Sequence, residues 1–326
     1  MGDLLHVPAI GVGMPVYNGE RYLANAIESV LCQTMADFEV VISDNASTDR
    51  TEEICRHYAA ADRRVRYFRN DANLGALPNF NRVFELARGR YFKWAAHDDA
   101  LKPEFLSHCV AALDAAPDAV LCQTAVEYID ESGAPIGTHR HHLAGSDSRD
   151  PATRFATLVL RPHDCYAQMG VLRRSVVERA LPLGGYHGAD RAFLARIALA
   201  GRFISVPEPL LKVRDHAERY SRAQRRVRDR ATWYDARNKG RRSFPVWRMY
   251  GSYWKSIADS GLSLRIRTRG ALALLRWWFL NFNAFRMGVD VASSVLPETV
   301  DVAERLKQSV FSPAPGPGEF RKSRKP

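Results

Sequence analysis

The chain has 326 residues, 46% of them hydrophobic and 25% charged, with 47 Lys and Arg against 36 Asp and Glu for a formal charge of +11. Such a length holds one large globular domain or two modest ones, and such a composition excludes disordered, collagenous and disulfide-scaffold classes. The five cysteines (Cys32, Cys55, Cys109, Cys122 and Cys165) are odd in number and show no C-x-x-C spacing, which argues against a disulfide framework or a zinc site and for a reducing compartment. Residues 1–6 lack a basic stretch leading into an apolar run, and no apolar run is long enough to span a bilayer, so the expected location is cytoplasmic, at most peripheral at the inner membrane face.

In chain order, residues 9–14 form an apolar run stopped by Pro15, and Tyr22, Leu23, Ala26, Ile27, Val30 and Leu31 then recur at helical spacing. Residues 38–42 read as a second strand, and a helix follows from Asp49, which with Glu52 has the spacing of a capping pair. Further strands are expected at 65–68, 91–95 and 120–126, with helices at 79–87 and 104–115 between them. Strands separated by single helices imply an α/β architecture, a Rossmann-like, mainly parallel sheet with helices on both faces. Residues 130–151 dissolve into Gly, Ser, His and Asp and read as a surface excursion. Helical periodicity returns at 154–160 and 190–200, and 210–213 reads as the last strand. The expected organisation is a donor-binding half at 1–125, an acceptor and catalytic half of the same domain at 126–218, a basic helical region at 219–311 and a disordered tail at 312–326.

The ends of the first four strands carry polar clusters: Pro15-Val16-Tyr17-Asn18-Gly19-Glu20, then Asp44-Asn45-Ala46-Ser47-Thr48-Asp49, then Asn73-Leu74-Gly75, then His97-Asp98-Asp99. In an open α/β sheet that edge is where ligands bind. Two adjacent carboxylates closing an apolar strand are costly unless a cation joins them, and an oxygen-seeking divalent ion carrying a diphosphate would explain the pair. A helix N-cap at Asp99 is the plainer alternative. Each cluster is weak alone, because turns are made of such residues; their joint order is specific.

In combination the motifs Pro-x-Tyr-Asn, Asp-Asn-x-Ser-x-Asp-x-Thr, Asn-x-Gly and the terminal Asp-Asp resemble glycosyltransferase family two, over residues 10–213. The resemblance implies a GT-A fold and an inverting, metal-assisted transfer from a nucleotide-diphosphate sugar to a carbohydrate or lipid-linked acceptor in envelope or polysaccharide biosynthesis. It implies that Pro15, Tyr17, Glu20 and Asp44 surround the nucleoside, Asp44 on the base, that Asn18 and Asn45 also belong to the donor site, that Asn73 and Gly75 lie near the ribose, and that Asp98 faces a Mn2+ or Mg2+ ion with Asp99 beside the sugar and phosphate. It points to Asp190, after Gly184-Gly185-Tyr186-His187-Gly188, as the general base, with helix capping as the alternative role. Arg214-Asp215-His216 with Ser221 is similar to an element that closes over the diphosphate, His216 as a metal ligand and Arg214 or Arg219 as the neutralising cation. One departure stands out: family members commonly carry Asp-x-Asp-Asp where this chain has Ala96-His97-Asp98-Asp99.

Three features are set aside. Gly11-Val12-Gly13 lacks the third glycine of a dinucleotide fingerprint, His139-Arg140-His141-His142 reads as a solvated loop, and Cys165 has no identifiable His partner. Twelve Lys and Arg against four acids between residues 212 and 242, and four more basic residues among the last six, would attract phosphates on a nucleotide sugar, a lipid or a nucleic acid, the last being the least expected. Residues 262–288 hold five arginines, no acid and interleaved Trp and Phe, the composition either of a packed helix or of a surface settling on anionic lipid. Two other readings compete: a sugar-phosphate nucleotidyltransferase, and a non-catalytic basic binding protein on the same scaffold. Oligomeric state is not legible.

Overall fold

The computed structural model describes residues 7–140, 142–217, 219 and 227–295. The expectations at the first six residues, His141, Ser221 and the tail 312–326 lie outside the described residues.

β1 (Ile10–Val16), β2 (Phe38–Asp44), β3 (Val65–Arg69) and β4 (Tyr91–Trp94) pair in parallel in the order β3-β2-β1-β4, with α1 (Leu23–Leu31), α2 (Thr51–Ala61) and α3 (Ala76–Leu86) as crossovers. β1 turns Ile10, Val12 and Met14 into one core with Leu23, Ala26, Ile27 and Val30 of α1. Its glycines face the opposite side, where a Cβ on Gly11 would lie 2.3 Å from the Arg88 carbonyl oxygen and one on Gly13 2.9 Å from Val83 of α3. Gly11-Val12-Gly13 therefore lets α3 and its exit approach the strand. β4 alternates in the same way: Phe92 and Trp94 join the α3 side, and Tyr91 and Lys93 face α4 (Phe105–Ala115), with the Lys93 ammonium 4.6 Å from the Phe105 ring centroid.

Beyond β4 the sheet departs from a simple parallel run. The neighbour of β4 is β8 (Val171–Arg173), antiparallel, and only then comes β6 (Ala119–Ile129), which pairs in parallel with β9 (Arg202–Arg214). A three-residue strand is too short to show periodicity. β5 (Ala100–Leu101) closes antiparallel on β9. Part of the expected excursion is a strand, β7 (Pro135–His139), paired with the far end of β6; it is largely exposed, so no alternation announces it.

α5 (Pro151–Leu160), α6 (Arg174–Ala180) and α7 (Ala189–Ala200) cover the Trp94 side of the sheet. α8 (Val227–Tyr234), α9 (Pro245–Ala258), α10 (Leu264–Phe279) and α11 (Asn283–Val295) extend that layer. Tyr253, Ile257, Leu274, Trp277 and Met287 belong to the same core as Phe155 and Phe193, so the basic region is built onto the sheet's helical layer. Buried side chains of the Leu274 class contribute about 2 kcal/mol each to that attachment.

Candidate active site

The parallel register sets the strand ends level: Val16 pairs with Asp44, and Asp44 with Arg69. The loops after β1 and β2 then lock together. The Asn18 amide donates to Ser47 Oγ at 2.9 Å, the Gly19 amide to Thr51 Oγ1 at 2.8 Å, and the Glu20 amide to Asp49 Oδ2 at 3.0 Å. In return Thr48 N–H donates to Asn18 Oδ1 and Arg50 N–H to Glu20 Oε2. Asn18 and Glu20 thus spend their polar ends on the neighbouring turn, while Tyr17 stays 42% exposed. Pro15 is buried within β1 opposite Ser43. The capping pair forms differently from expectation: Asp49 accepts from the Thr51 and Glu20 amides, and Glu52 turns to Arg56 and Arg69.

Asp44 is fully buried, and its carboxylate accepts from Tyr67 Oη, Arg69 Nη1 and the Ser47 amide. It forms the floor of the edge and is braced on three sides. Asn45 is a strut: its Nδ2 donates to Asn73 Oδ1 and the Gly75 carbonyl, and its Oδ1 accepts from Asn70 Nδ2 and the Leu74 amide. Asn73 accepts in addition from the Gly75 amide. The demand for glycine at 75 comes from the second half of the chain. Gly75 has φ +91°, and a Cβ there would lie 2.7 Å from Asp235 Cα.

At the end of β4, Asp98 Oδ2 and His216 Nε2 are 3.0 Å apart, with side chains 18% and 6% exposed. Burial alone would raise the Asp98 carboxyl; its hydrogen bond to His216 and the neighbouring His97 outweigh that and hold it below the usual carboxylate range. Asp99 moves the other way, pushed up by burial and by the Asp98 charge, and its Oδ1 accepts from the Arg214 amide at 2.9 Å. That bond ties Asp99 to β9 and answers the N-cap alternative, because α4 begins only at Phe105.

Arg214 departs from its expected role. It is 4% exposed, and its guanidinium donates to the carbonyls of Asp98, Asp130 and Glu131 and to Asn25 Oδ1, 4.6 Å over the Tyr22 ring. A guanidinium so fully engaged braces the Asp98 backbone and is not turned toward a leaving group. Arg219 is the cation with reach: it donates to Tyr166 Oη at 2.6 Å and lies within the field of Asp98 and Asp99. A metal fits here as a shared ligand set. His216 Nδ1 is buried against the Tyr22 ring without a hydrogen-bond partner, Nε2 meets Asp98, and no cluster of three or more ligating side chains exists among the described residues. One carboxylate and one imidazole suit an ion that completes its shell with diphosphate oxygens and water.

Asp190 sits in the first turn of α7, where the helix dipole favours a negative charge. The N-cap position is Gly188 at φ +91°, and Asp190 Oδ1 accepts only its neighbour's amide, that of Arg191, among the hydrogen bonds it makes to described backbone. N-capping is thus not its role. The short helix Cys165–Met169 links the two ends of the site: Cys165 contacts Asp190, and Tyr166 binds Arg219. Burial drives the Cys165 thiol well above its ordinary value, so it is no thiolate nucleophile.

Sequence reasoning missed Tyr22, Asn25, Lys93 and Tyr166. Tyr22 looked like one more apolar position of α1. Lys93 did carry a signal, a charge inside Tyr-Phe-Lys-Trp; it is fully buried, and its ammonium donates to the Met169 and Trp94 carbonyls.

The sequence profile described as Glycosyl transferase family 2 matches residues 11–181, more than half of the chain. The chain belongs to that family. A putative glycosyltransferase of Bacillus subtilis, EpsH, is 26% identical over 220 residues, covering 65% of this chain and 62% of its own length. An uncharacterized glycosyltransferase of Methanocaldococcus jannaschii is 34% identical over 128 residues, 39% of this chain and 44% of its own. The chain thus spans less than two thirds of the curated relatives it matches. Among solved structures, S. aureus TarS 1-349 in complex with UDP superposes with a TM-score of 0.61 at 16% identity, covering 90% of this chain and 82% of that one. A mannosyltransferase from Pyrobaculum calidifontis, in complex with GDP-Man and Mn2+, gives a TM-score of 0.53 at 15% identity over 94% of this chain and 82% of its own. The fold is the GT-A arrangement, and family membership favours a glycosyltransferase over the nucleotidyltransferase and the non-catalytic binding protein.

Proposed function

We propose that the protein moves a sugar, with inversion, from a nucleotide-diphosphate sugar to a carbohydrate or lipid-linked acceptor in polysaccharide or cell-envelope biosynthesis. The observation that carries this reading is the Asp98–His216 pair at the sheet edge, braced from below by Arg214, with Cys165–Met169 linking the nearby Arg219 to Asp190. Tyr17 offers an exposed ring for the base, above a floor made by Asp44. Asp98 and His216 would hold a Mn2+ or Mg2+ ion, which when bound neutralises the departing diphosphate. Arg219 adds positive charge on the same side. Asp190 takes the proton of the acceptor hydroxyl as that oxygen bonds to the anomeric carbon and the carbon–phosphate oxygen bond breaks.

The acceptor reading draws support from α10. Its buried residues Gly270, Ala273, Leu274 and Trp277 occupy one stripe. Leu264, Leu272, Leu275 and Phe279 form a second apolar stripe on the opposite side, 76%, 53%, 53% and 88% exposed. Arg265 and Arg276 run along one edge of that outer stripe, and no described helix is long and apolar enough to cross a membrane. An interfacial helix on anionic lipid has this pattern, and a lipid-linked acceptor would be met there.

Release of nucleoside diphosphate from a panel of nucleotide sugars, with Mn2+ and a glycan or lipid-phosphate acceptor, tests the chemistry. Asp190→Asn should lower turnover about a thousandfold while leaving donor binding intact. Undiminished turnover in that variant would remove Asp190 as the base.

A further inference from the structure

We infer that residues 234–238 are a positioning clamp that joins the two glycine loops of the site, so that a displacement of either loop is passed to the other. The segment lies outside the 11–181 match and begins at the last residue of α8. On one side it covers the loop after β3: the Ala236 amide donates to the Leu74 carbonyl at 3.0 Å, and the absent side chain of Gly75 makes room for Asp235 Cα and Ala236 N, 2.7 and 2.8 Å from where a Cβ would stand. On the other side it covers the loop before α7. Asn238 Nδ2 donates to the Gly185 carbonyl at 2.7 Å, and a Cβ on Gly185 would lie 2.4 Å from Asp235 Oδ2. Tyr234 Oη is 2.8 Å from His187 Nδ1, three residues before Asp190.

The clamp is itself stiff. Asp235 is 5% exposed, its carboxylate receives the Arg237 guanidinium on both oxygens and the Arg237 amide on one, and Asn238 Nδ2 also reaches the Ala231 carbonyl. Two glycines distant in sequence are therefore required by one short segment, Gly75 by its backbone and Gly185 by the Asp235 side chain, and a rigid body touching both loops transmits movement between them. None of these residues touches a reacting atom; they position Leu74-Gly75 relative to the Asp190 loop. The consequence for a transferase is that the donor side and the base side of the cleft are set by a common part.

Hydrogen exchange of the full chain, without any ligand, tests this independently of the proposed chemistry. The Leu74 amide, bonded to Asn45, reports the first loop; the Tyr186 and Ala189 amides, bonded to the Gly184 and Tyr186 carbonyls, report the second. Gly75→Ala should speed exchange at Tyr186 and Ala189 about tenfold, and Gly185→Ala should do the same at Leu74. A glycine variant that loosens only its own loop, with β1 and β2 amides unchanged, would overturn the clamp. Should both glycine variants also loosen β1 and β2, Asn238→Ala decides, since it deletes the side-chain bonds without adding bulk. Faster exchange at Leu74 as well as at Tyr186 supports the clamp, and faster exchange at Tyr186 alone rejects it.

Discussion

The carboxyl edge of the sheet and the outer face of α10 treat their side chains in opposite ways. At the edge, Asp44, Asn45, Asp98 and Asp99 each already have protein partners, so their polar groups are fixed in advance. On α10, Leu272, Leu275 and Phe279 have no such cover, although the same helix buries Leu274 and Trp277 completely or nearly so. A preorganised polar site spends folding energy to hold charge where it is needed. An uncovered apolar stripe does the reverse and leaves burial energy to be gained on contact with a partner.

The sharpest way to break the second half of that contrast is flotation with vesicles of phosphatidylglycerol against phosphatidylcholine. Replacing Leu275 and Phe279, 53% and 88% exposed, by Ser should weaken binding to anionic vesicles about a hundredfold. Absence of binding by the unmodified chain, with dimerisation in sedimentation, would assign the stripe to a second copy instead. On the edge, Arg214→Met should cost about 3 kcal/mol in urea unfolding, because a buried guanidinium is lost and four part-buried acceptors lose their donor. A loss below about 1 kcal/mol would mean that the guanidinium is not the brace described.

A smaller effect concerns Lys93, whose pKa burial pulls down from 10.5 to about 8. Between those values the unfolded chain holds a proton that the folded chain has released, so this site's contribution to stability rises with pH. Wild type should gain on Lys93→Met by about 2 kcal/mol from pH 8 to 10.5. A flat difference across that range would place the ammonium in contact with water.

The first four strands and their crossovers were legible because alternation and helical spacing are local properties, and the polar clusters ending those strands do lie together at one edge of the sheet. What each residue does there was less legible. Asn45 and Asn73 read as ligand contacts and are also bonded to one another, while Arg214, read with Arg219 as a cation facing the leaving group, is a buried brace. Such roles depend on partners 28 to 189 residues away, as for Asn45 with Asn73 and Arg214 with Asn25. The insertion of β8 beside β4, and the fit of Gly75 against Asp235, are likewise products of tertiary packing with no local signature.

The most direct test of the donor site is thermal unfolding with UDP, GDP, dTDP and CDP, each with and without Mn2+, on wild type, Asp98→Ala and Asp190→Asn. One nucleotide should stabilise wild type and Asp190→Asn by about 3 kcal/mol at a hundredfold excess over its Kd, only when metal is present, and should fail on Asp98→Ala. A metal-dependent shift that survives in Asp98→Ala, or no shift with any nucleotide on folded wild type, would contradict the placement of the donor at this edge.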